Sequence, residues 1–191
     1  KMHPKPEWMF NQLADDRDHK GFRLPNKDTA SYGKGLERPI YFVTGEVQGL
    51  GKYKNRTTGT SSIAGKFSSA FSLGYQLYKE KDNTYANLLK SRASSAYAFG
   101  LKKPGNTQTS CFVSPYFYEE DNWVDDMELA AAQLYNITKD RNLLTASFEY
   151  AKQEKQTPWL GTDTASHYQW YPFINVGHYE LARSSKGEVR E

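Results

Sequence analysis

Glu120-Asp-Asn-Trp-Val-Asp-Asp-Met-Glu-Leu-Ala-Ala-Ala-Gln-Leu-Tyr135 carries two signals at once. Its carboxylates crowd the front, where the positive end of a helix dipole favours them. Trp123, Met127, Ala130, Ala131 and Leu134 then recur at the three- and four-residue spacing of one helical face. A helix starting near Asn122 follows from that spacing. Only Thr138-Lys139-Asp140 separates it from a second periodic stretch, Leu143, Leu144, Phe148 and Ala151, which Asp140 can open. A turn that short makes the two helices antiparallel neighbours.

Moving toward the N-terminus, the same unit recurs. Ile63, Phe67, Ala70, Phe71, Gly74, Leu77 and Tyr78 lie on one helical face, with Thr60 or Ser61 as cap. After Asp82-Asn83, a second helix carries Tyr85, Leu88, Leu89, Arg92, Ala96 and Phe99 until Gly100 and Pro104 stop it. Toward the C-terminus a fifth helix is expected from about Gln169 to Arg183, with Trp170, Phe173, Ile174, Gly177 and Leu181, and with Pro172 tolerated in its first turn. Short turns alternate with long aromatic-rich loops at 101–121 and 154–168. The long loops therefore gather on one face of stacked hairpins and can build a single binding surface. Five helices in an arc do not close a ring, so partners are expected at both ends.

Residues 1–57 read differently. Pro4, Pro6, Pro25 and Pro39, with glycines at 21, 33, 35, 45, 49 and 51, predict long ordered loops around a short extended piece at Pro39–Thr44. Loops of that length in a compact domain usually serve a function. The chain opens on Lys1 with no charged-then-apolar leader, and the expectation is that it is cut from something longer.

A net charge of +3 with 25% charged residues lacks the concentrated basic patch of a nucleic-acid or acidic-membrane binder. Mean hydropathy is −0.80, and no apolar run reaches the roughly 18 residues of a membrane helix. Cys111 is the single cysteine, so neither an intrachain disulfide nor a thiolate metal cluster can form. Aromatic residues reach 15%, many beside polar neighbours. A Tyr or Trp ring offers a flat apolar face and a polar edge, which suits the C–H face and hydroxyls of a sugar; the same rings also fill helical cores.

Three segments carry candidate chemistry. In Gln12-Leu-Ala-Asp-Asp-Arg-Asp-His19 the carboxylates beside a histidine could form a metal or acid–base site, or a loop knitted by Arg17 and Arg23. In Tyr116–Glu128, the acidic run either serves the helix dipole or offers Asp121, Asn122, Asp125 and Asp126 as hard oxygens to Ca²⁺, without the glycine and glutamate spacing of an EF-hand. In Thr157–Phe173, core filling accounts for Phe173 but poorly for Trp159, His167, Tyr168 and Trp170 together.

In this order the three segments resemble the catalytic domain of glycoside hydrolase family 9, the six-hairpin cellulases. Lys1-Met-His-Pro-Lys-Pro is similar to that family's K-x-H-P-x-P, Gln12 to Pro25 to its Q-x-G-D-x-x-x-D-H…P loop, Arg38-Pro-Ile-Tyr to R-P-x-Y, and Glu120–Tyr135 to its D-E-L-x-W-A-A-x-W-L-Y helix. The resemblance runs through essentially the whole chain. It implies an all-α fold, a partial (α/α)6 barrel holding about five of its twelve helices, with residues 1–191 one incomplete catalytic-domain fragment: 1–57 loop-rich cleft, 58–191 helical hairpins. It implies inverting hydrolysis of β-1,4-glucan, in which one carboxylate activates water and a carboxylic acid protonates the leaving oxygen. The family's base segment lies upstream of this chain and its acid segment downstream. No catalytic residue carries over, and the piece alone is expected to be inactive.

Binding roles implied by the resemblance fall on His19 beside the glucose ring, Trp170 as a stacking platform, and Trp123 or Tyr118 as a further one. Asp125 and Asp126, with Asn175, match a structural calcium site, and no other cofactor is implied. Two departures stand out: Asp126 replaces the family's glutamate, and Ala14-Asp15 replaces Gly-Asp. The implied partner is a β-glucan, and the implied location secreted or periplasmic. Two other readings remain open at this level: a non-catalytic carbohydrate-binding helical module, or an α/α-toroid enzyme of another chemistry, because a shared fold does not settle a reaction.

Overall fold

A computed structural model of the chain describes residues 1–18, 22, 24–29, 37–113, 120–154 and 176–185. Within these, five helices follow one another: α1 (Ser61–Tyr78), α2 (Asn83–Lys102), α3 (Val124–Thr138), α4 (Arg141–Ala151) and α5 (Val176–Ser184). They are preceded by strands β1 (Phe10–Leu13) and β2 (Ile40–Phe42) and by single 3₁₀ turns.

The helices alternate between two layers. α1 packs against both α2 and α3, and α3 packs against both α4 and α5. Ser61 meets Gly100 and Ser68 meets Ala93, so α1 and α2 run antiparallel. Gly65 faces Asp126, and further along Gln76 meets Gln133, so α1 and α3 run parallel. Glu128–His178 and Asn136–Ser184 repeat the parallel relation between α3 and α5. The odd-numbered helices thus form an inner row, and α2 and α4 back it from outside. This is the hairpin-by-hairpin order of part of an (α/α)6 barrel.

Helix ends follow local chemistry. The Asp82 side chain accepts from the Tyr85 N–H and Asp140 from the Asn142 N–H, each satisfying a donor left free in a first turn. α3 starts two residues after the expected Asn122, because the Asn122 side chain accepts the Val124 N–H from outside the helix. α2 runs through Gly100 instead of ending there. A Cβ on Gly100 would lie 3.0 Å from Ala64 Cβ and 3.1 Å from Met127 Sδ, so this glycine serves close packing. Thr60 makes no cap with its side chain; its hydroxyl donates toward the carbonyls of Phe99 and Lys103, while the Gly105 carbonyl receives the Ser61 and Ser62 N–H groups. The first residues expected in the fifth helix, 169–175, lie outside the described residues.

The expected extended piece at 39–44 is β2, and it pairs antiparallel with β1, which the sequence pattern did not announce. Phe10-Asn-Gln-Leu13 has no β-branched residue and is a strand because of its partner. One cluster of the core joins Ala93, Tyr97, Met127, Ala130, Ala131 and Leu134; another joins Met9, Val43, Ala64, Ala96 and Phe99, tying the ribbon region to α1 and α2. His3 strengthens that tie, bonding the Trp8 carbonyl through Nδ1 and Ser95 Oγ through Nε2, both at 2.8 Å.

Candidate functional site

Parallel inner helices place the N-terminal ends of α1 and α3 at one end, together with the last turn of α2 and the connection that follows it. The N-terminal region is stitched to the same end. Gln12 donates to the Ser110 carbonyl and accepts the Ser110 N–H, Asn55 donates to the carbonyls of Gln108 and Thr109, and Gln108 holds Glu120 through both its amide atoms. Backbone amides that would otherwise be unpaired in a non-helical stretch are satisfied by side chains, which fixes loops that have no regular ladder.

At the tip of this region the Asp15 carboxylate, with a fully buried side chain, accepts a two-pronged bond from Arg17 at 2.8 and 2.6 Å and the Tyr41 hydroxyl at 2.6 Å. Burial alone would raise its pKa, but the donors from Arg17 and Tyr41 outweigh it and hold the group below the ordinary carboxylate value. Asp16 accepts the N–H groups of Phe112 and Val113, and the Arg17 guanidinium lies 3.9 Å from the Phe112 ring centroid. Arg38 binds Asp18 and Asp28. The carboxylates of the Gln12–His19 segment hold a loop, Asp15 and Asp18 through arginine and Asp16 through backbone N–H groups. His19 itself lies outside the described residues, directly after Asp18.

At the start of α3, Lys66 of α1 sends its ammonium to Glu120 and Asp126, 2.5 Å from each. Burial would lower the lysine's pKa; the charges of Asp126 and Glu120 reverse that and raise it. Asp125 points elsewhere: its Oδ1 is buried with no hydrogen-bond partner among the described residues, and burial, opposed by Lys66, pushes the carboxyl up to about 6. Trp123 is half-buried just before α3 and meets Tyr150 of α4 edge-on, with ring centroids 6.0 Å apart. Among the residues expected to bind sugar or calcium, the structure therefore describes Asp121, Asn122, Trp123, Asp125 and Asp126, all at or just before one helix start. Tyr118, Trp170 and Asn175, like His19, lie outside the described residues.

Comparison with known proteins decides the family. Residues 1–186 match the model of glycosyl hydrolase family 9. The chain belongs to that family. Among curated relatives, endoglucanase 20 of Arabidopsis thaliana is 23% identical over 161 residues, which is 82% of this chain and 29% of that protein. Endoglucanase 4 of Bacillus sp. (strain KSM-522) is 26% identical over 186 residues, 93% of this chain and 28% of that one. The endoglucanase of the termite Nasutitermes takasagoensis superposes with a TM-score of 0.68 at 19% identity, covering 98% of this chain and 38% of its own. The cellulase Cel9M of C. cellulolyticum, also solved in complex with cellobiose, gives 0.67 at 20% identity, covering 97% and 38%. The chain spans under two fifths of the length of these relatives, and its fold is part of the family-9 (α/α)6 barrel.

Some of this end was not anticipated from sequence. Lys66 is not singled out by the helical period of α1, and it bridges two carboxylates. The Asp15–Arg17–Tyr41 set joins residues 26 apart in the chain, and its only advance signal is the proximity of Arg17 to three aspartates. Glu128 is a charge inside the apolar period of α3, at a position the helical face buries, and that misfit is a readable signal.

Proposed function

We propose that this chain is the middle part of a cellulase-type glycoside hydrolase that cleaves β-1,4-glucan with inversion. The observation that carries the reading is the family-9 match over residues 1–186, in a chain whose ordered loops gather at the N-terminal ends of the inner helices. The general base and acid belong to segments outside residues 1–191, so this part contributes substrate contacts and barrel wall, and by itself does not turn over substrate. His19, Tyr118, Trp123 and Trp170 contribute the sugar contacts, with Trp170 supplying an open indole face. The protein acts outside the cytoplasm, secreted or periplasmic, on a plant-type glucan; no described helix is long and apolar enough to cross a membrane.

A structural calcium at the start of α3 would draw on Asp125, Asp126 and Asn175. The buried, partnerless Oδ1 of Asp125 suits a hard cation. Asp126 suits one only if Lys66 gives way, because its ammonium already lies 2.5 Å from that carboxylate.

The test uses the intact protein. Trp170→Ala should weaken binding of cellotetraose to cellohexaose by about tenfold, the scale of one lost aromatic face, measured by titration calorimetry. Proton NMR of the first product should display the α-anomer. Unchanged affinity across the oligosaccharide series, or a β-anomer product, would count decisively against the reading.

A further inference from the structure

One helical turn beyond Asp125, three side chains from three elements converge: Glu128 of α3, His178 of α5, and Glu154 just past α4. One donor atom from each lies within 4.8 Å of the other two. Glu128 is fully buried, its Oε1 takes His178 Nδ1 at 2.7 Å, and its Oε2 has no hydrogen-bond partner among the described residues. The side chain of Glu154 is also fully buried, and neither of its oxygens has a hydrogen-bond donor among the described residues. His178 Nε2 stands 3.5 Å from Glu154 Oε2, beyond good hydrogen-bond range. Buried carboxylate oxygens left without donors are costly and call for an explanation.

From this geometry we propose that Glu128, Glu154 and His178 form a binding site for a transition-metal dication, with Zn²⁺ as the fitting case. Without an ion, an ionised Glu128 accepts the His178 Nδ1–H; when that proton leaves, Nδ1 and Glu128 Oε1 turn two lone pairs toward one ion, with the Glu154 carboxylate as third donor. Two donors on one tetrahedral zinc, each about 2.0–2.2 Å from it, stand about 3.4 Å apart, so the 2.7 Å pair of Nδ1 and Oε1 needs to open by less than about 1 Å to admit it. An imidazole among the donors favours zinc over calcium, which takes oxygen. Gly177 makes the approach possible: a Cβ there would fall 2.8 Å from Glu128 Cδ and 3.0 Å from Oε2. The His178 side chain is 44% exposed and gives an ion a route in. The cluster shares no residue with the calcium set, although the charge of Asp125 reaches both Glu154 and His178, and it does not rest on any saccharide chemistry.

The competing arrangement is a proton in place of the ion. Burial and the neighbouring Glu128 push the Glu154 carboxyl up to about 9, so a metal-free site would hold a shared proton between the two glutamates.

Intact protein stripped with a chelator and titrated with Zn²⁺ should bind one ion per chain at this site, with a rise in Tm, and Ca²⁺ should not displace it. Glu128→Gln and His178→Ala should each weaken Zn²⁺ binding by more than about 100-fold, exceeding the loss typical of outer-shell changes. Co²⁺ added to the unsubstituted protein should give the strong visible bands of a tetrahedral site, a readout independent of how the variants fold. No Zn²⁺ uptake and no Co²⁺ bands would overturn the proposal in favour of the shared proton. Zn²⁺ binding indifferent to both substitutions would overturn it in favour of another site. Because neither readout involves sugar, failure here leaves the hydrolase reading intact, and failure of that reading leaves this one.

Discussion

Ala14 adopts a φ of 68°, in the left-handed region that a Cβ disfavours. It is held there from both sides: its N–H donates to the Pro39 carbonyl at 2.8 Å and its own carbonyl accepts Gln12 at 2.7 Å. Ala14→Gly should therefore stabilise the protein, by about 1 kcal/mol at most once the extra freedom of the unfolded glycine is set against the relieved strain; a chemical-denaturation midpoint would register it as a small rise. Next door, Asp15 has a depressed pKa in the fold, so its ionised form contributes stability that is complete above the ordinary carboxylate value and is lost as pH falls through the folded-state value. Tyr41 stays a neutral donor, since burial and Asp15 both raise its pKa. Asp15→Asn should lower Tm at pH 6 and leave a shallower decline between pH 4 and pH 2 than the parent has, in thermal melts across that range; parallel curves for the two proteins would remove Asp15 from the acid response.

At the scale of elements, what the sequence made legible was the helical period and the hairpin turns. Trp123, Met127, Ala130, Ala131 and Leu134 do face the core or pack against it, and Asp140 does cap α4. Much of the inner-row packing escaped because it is not apolar. Ser61, Ser62, Ser68 and Ser72 are fully buried on α1, and a count of hydrophobic spacings assigns them no face. Small side chains let helices approach closely, and the hydroxyls of Ser61 and Ser68 are satisfied by α2 carbonyls. The same demand explains Gly100, read from sequence as a stop and used in the structure as a contact. β1 escaped for the opposite reason, since its conformation depends on β2, roughly 30 residues away by chain count, and local propensity says little about such pairing. The candidate sugar residues were reached through the resemblance, and of those only Trp123 lies in a described stretch. Close approach is sharpest at Gly65, where a Cβ would lie 2.6 Å from the Asp126 carbonyl oxygen and 2.7 Å from its carbon, both backbone atoms of α3. Backbone cannot swing aside as a side chain can. Gly65→Ala should push α1 from α3 and destabilise the intact protein by about 1–3 kcal/mol, read from equilibrium unfolding, whereas Ala70→Ser on the exposed side of the same helix should change little.

For the whole molecule, the helices found against α1 among the described residues, α2 and α3, leave part of its surface uncovered. α1 is covered by α2 and α3, yet Leu73 and Leu77 project outward at 45% and 68% exposure, one helical turn apart. Isolated exposed leucines are ordinary, but two on the free flank of an inner barrel helix form part of a stripe. In a complete (α/α)6 barrel the uncovered side of an inner helix meets further helices. The two leucines then have opposite consequences in two settings. In residues 1–191 produced alone they face water and invite self-association; in the intact barrel they lie in a helix–helix contact. Replacing both, Leu73→Lys with Leu77→Lys, should turn the 191-residue chain from self-associating to more nearly monodisperse in light scattering behind size exclusion. The same pair in the intact protein should lower stability by about 2–5 kcal/mol, the range for losing a buried leucine side chain, with the added charge working in the same direction. A chain that stays monodisperse without the substitutions, together with an intact protein that tolerates them, would mean that this flank faces solvent in both.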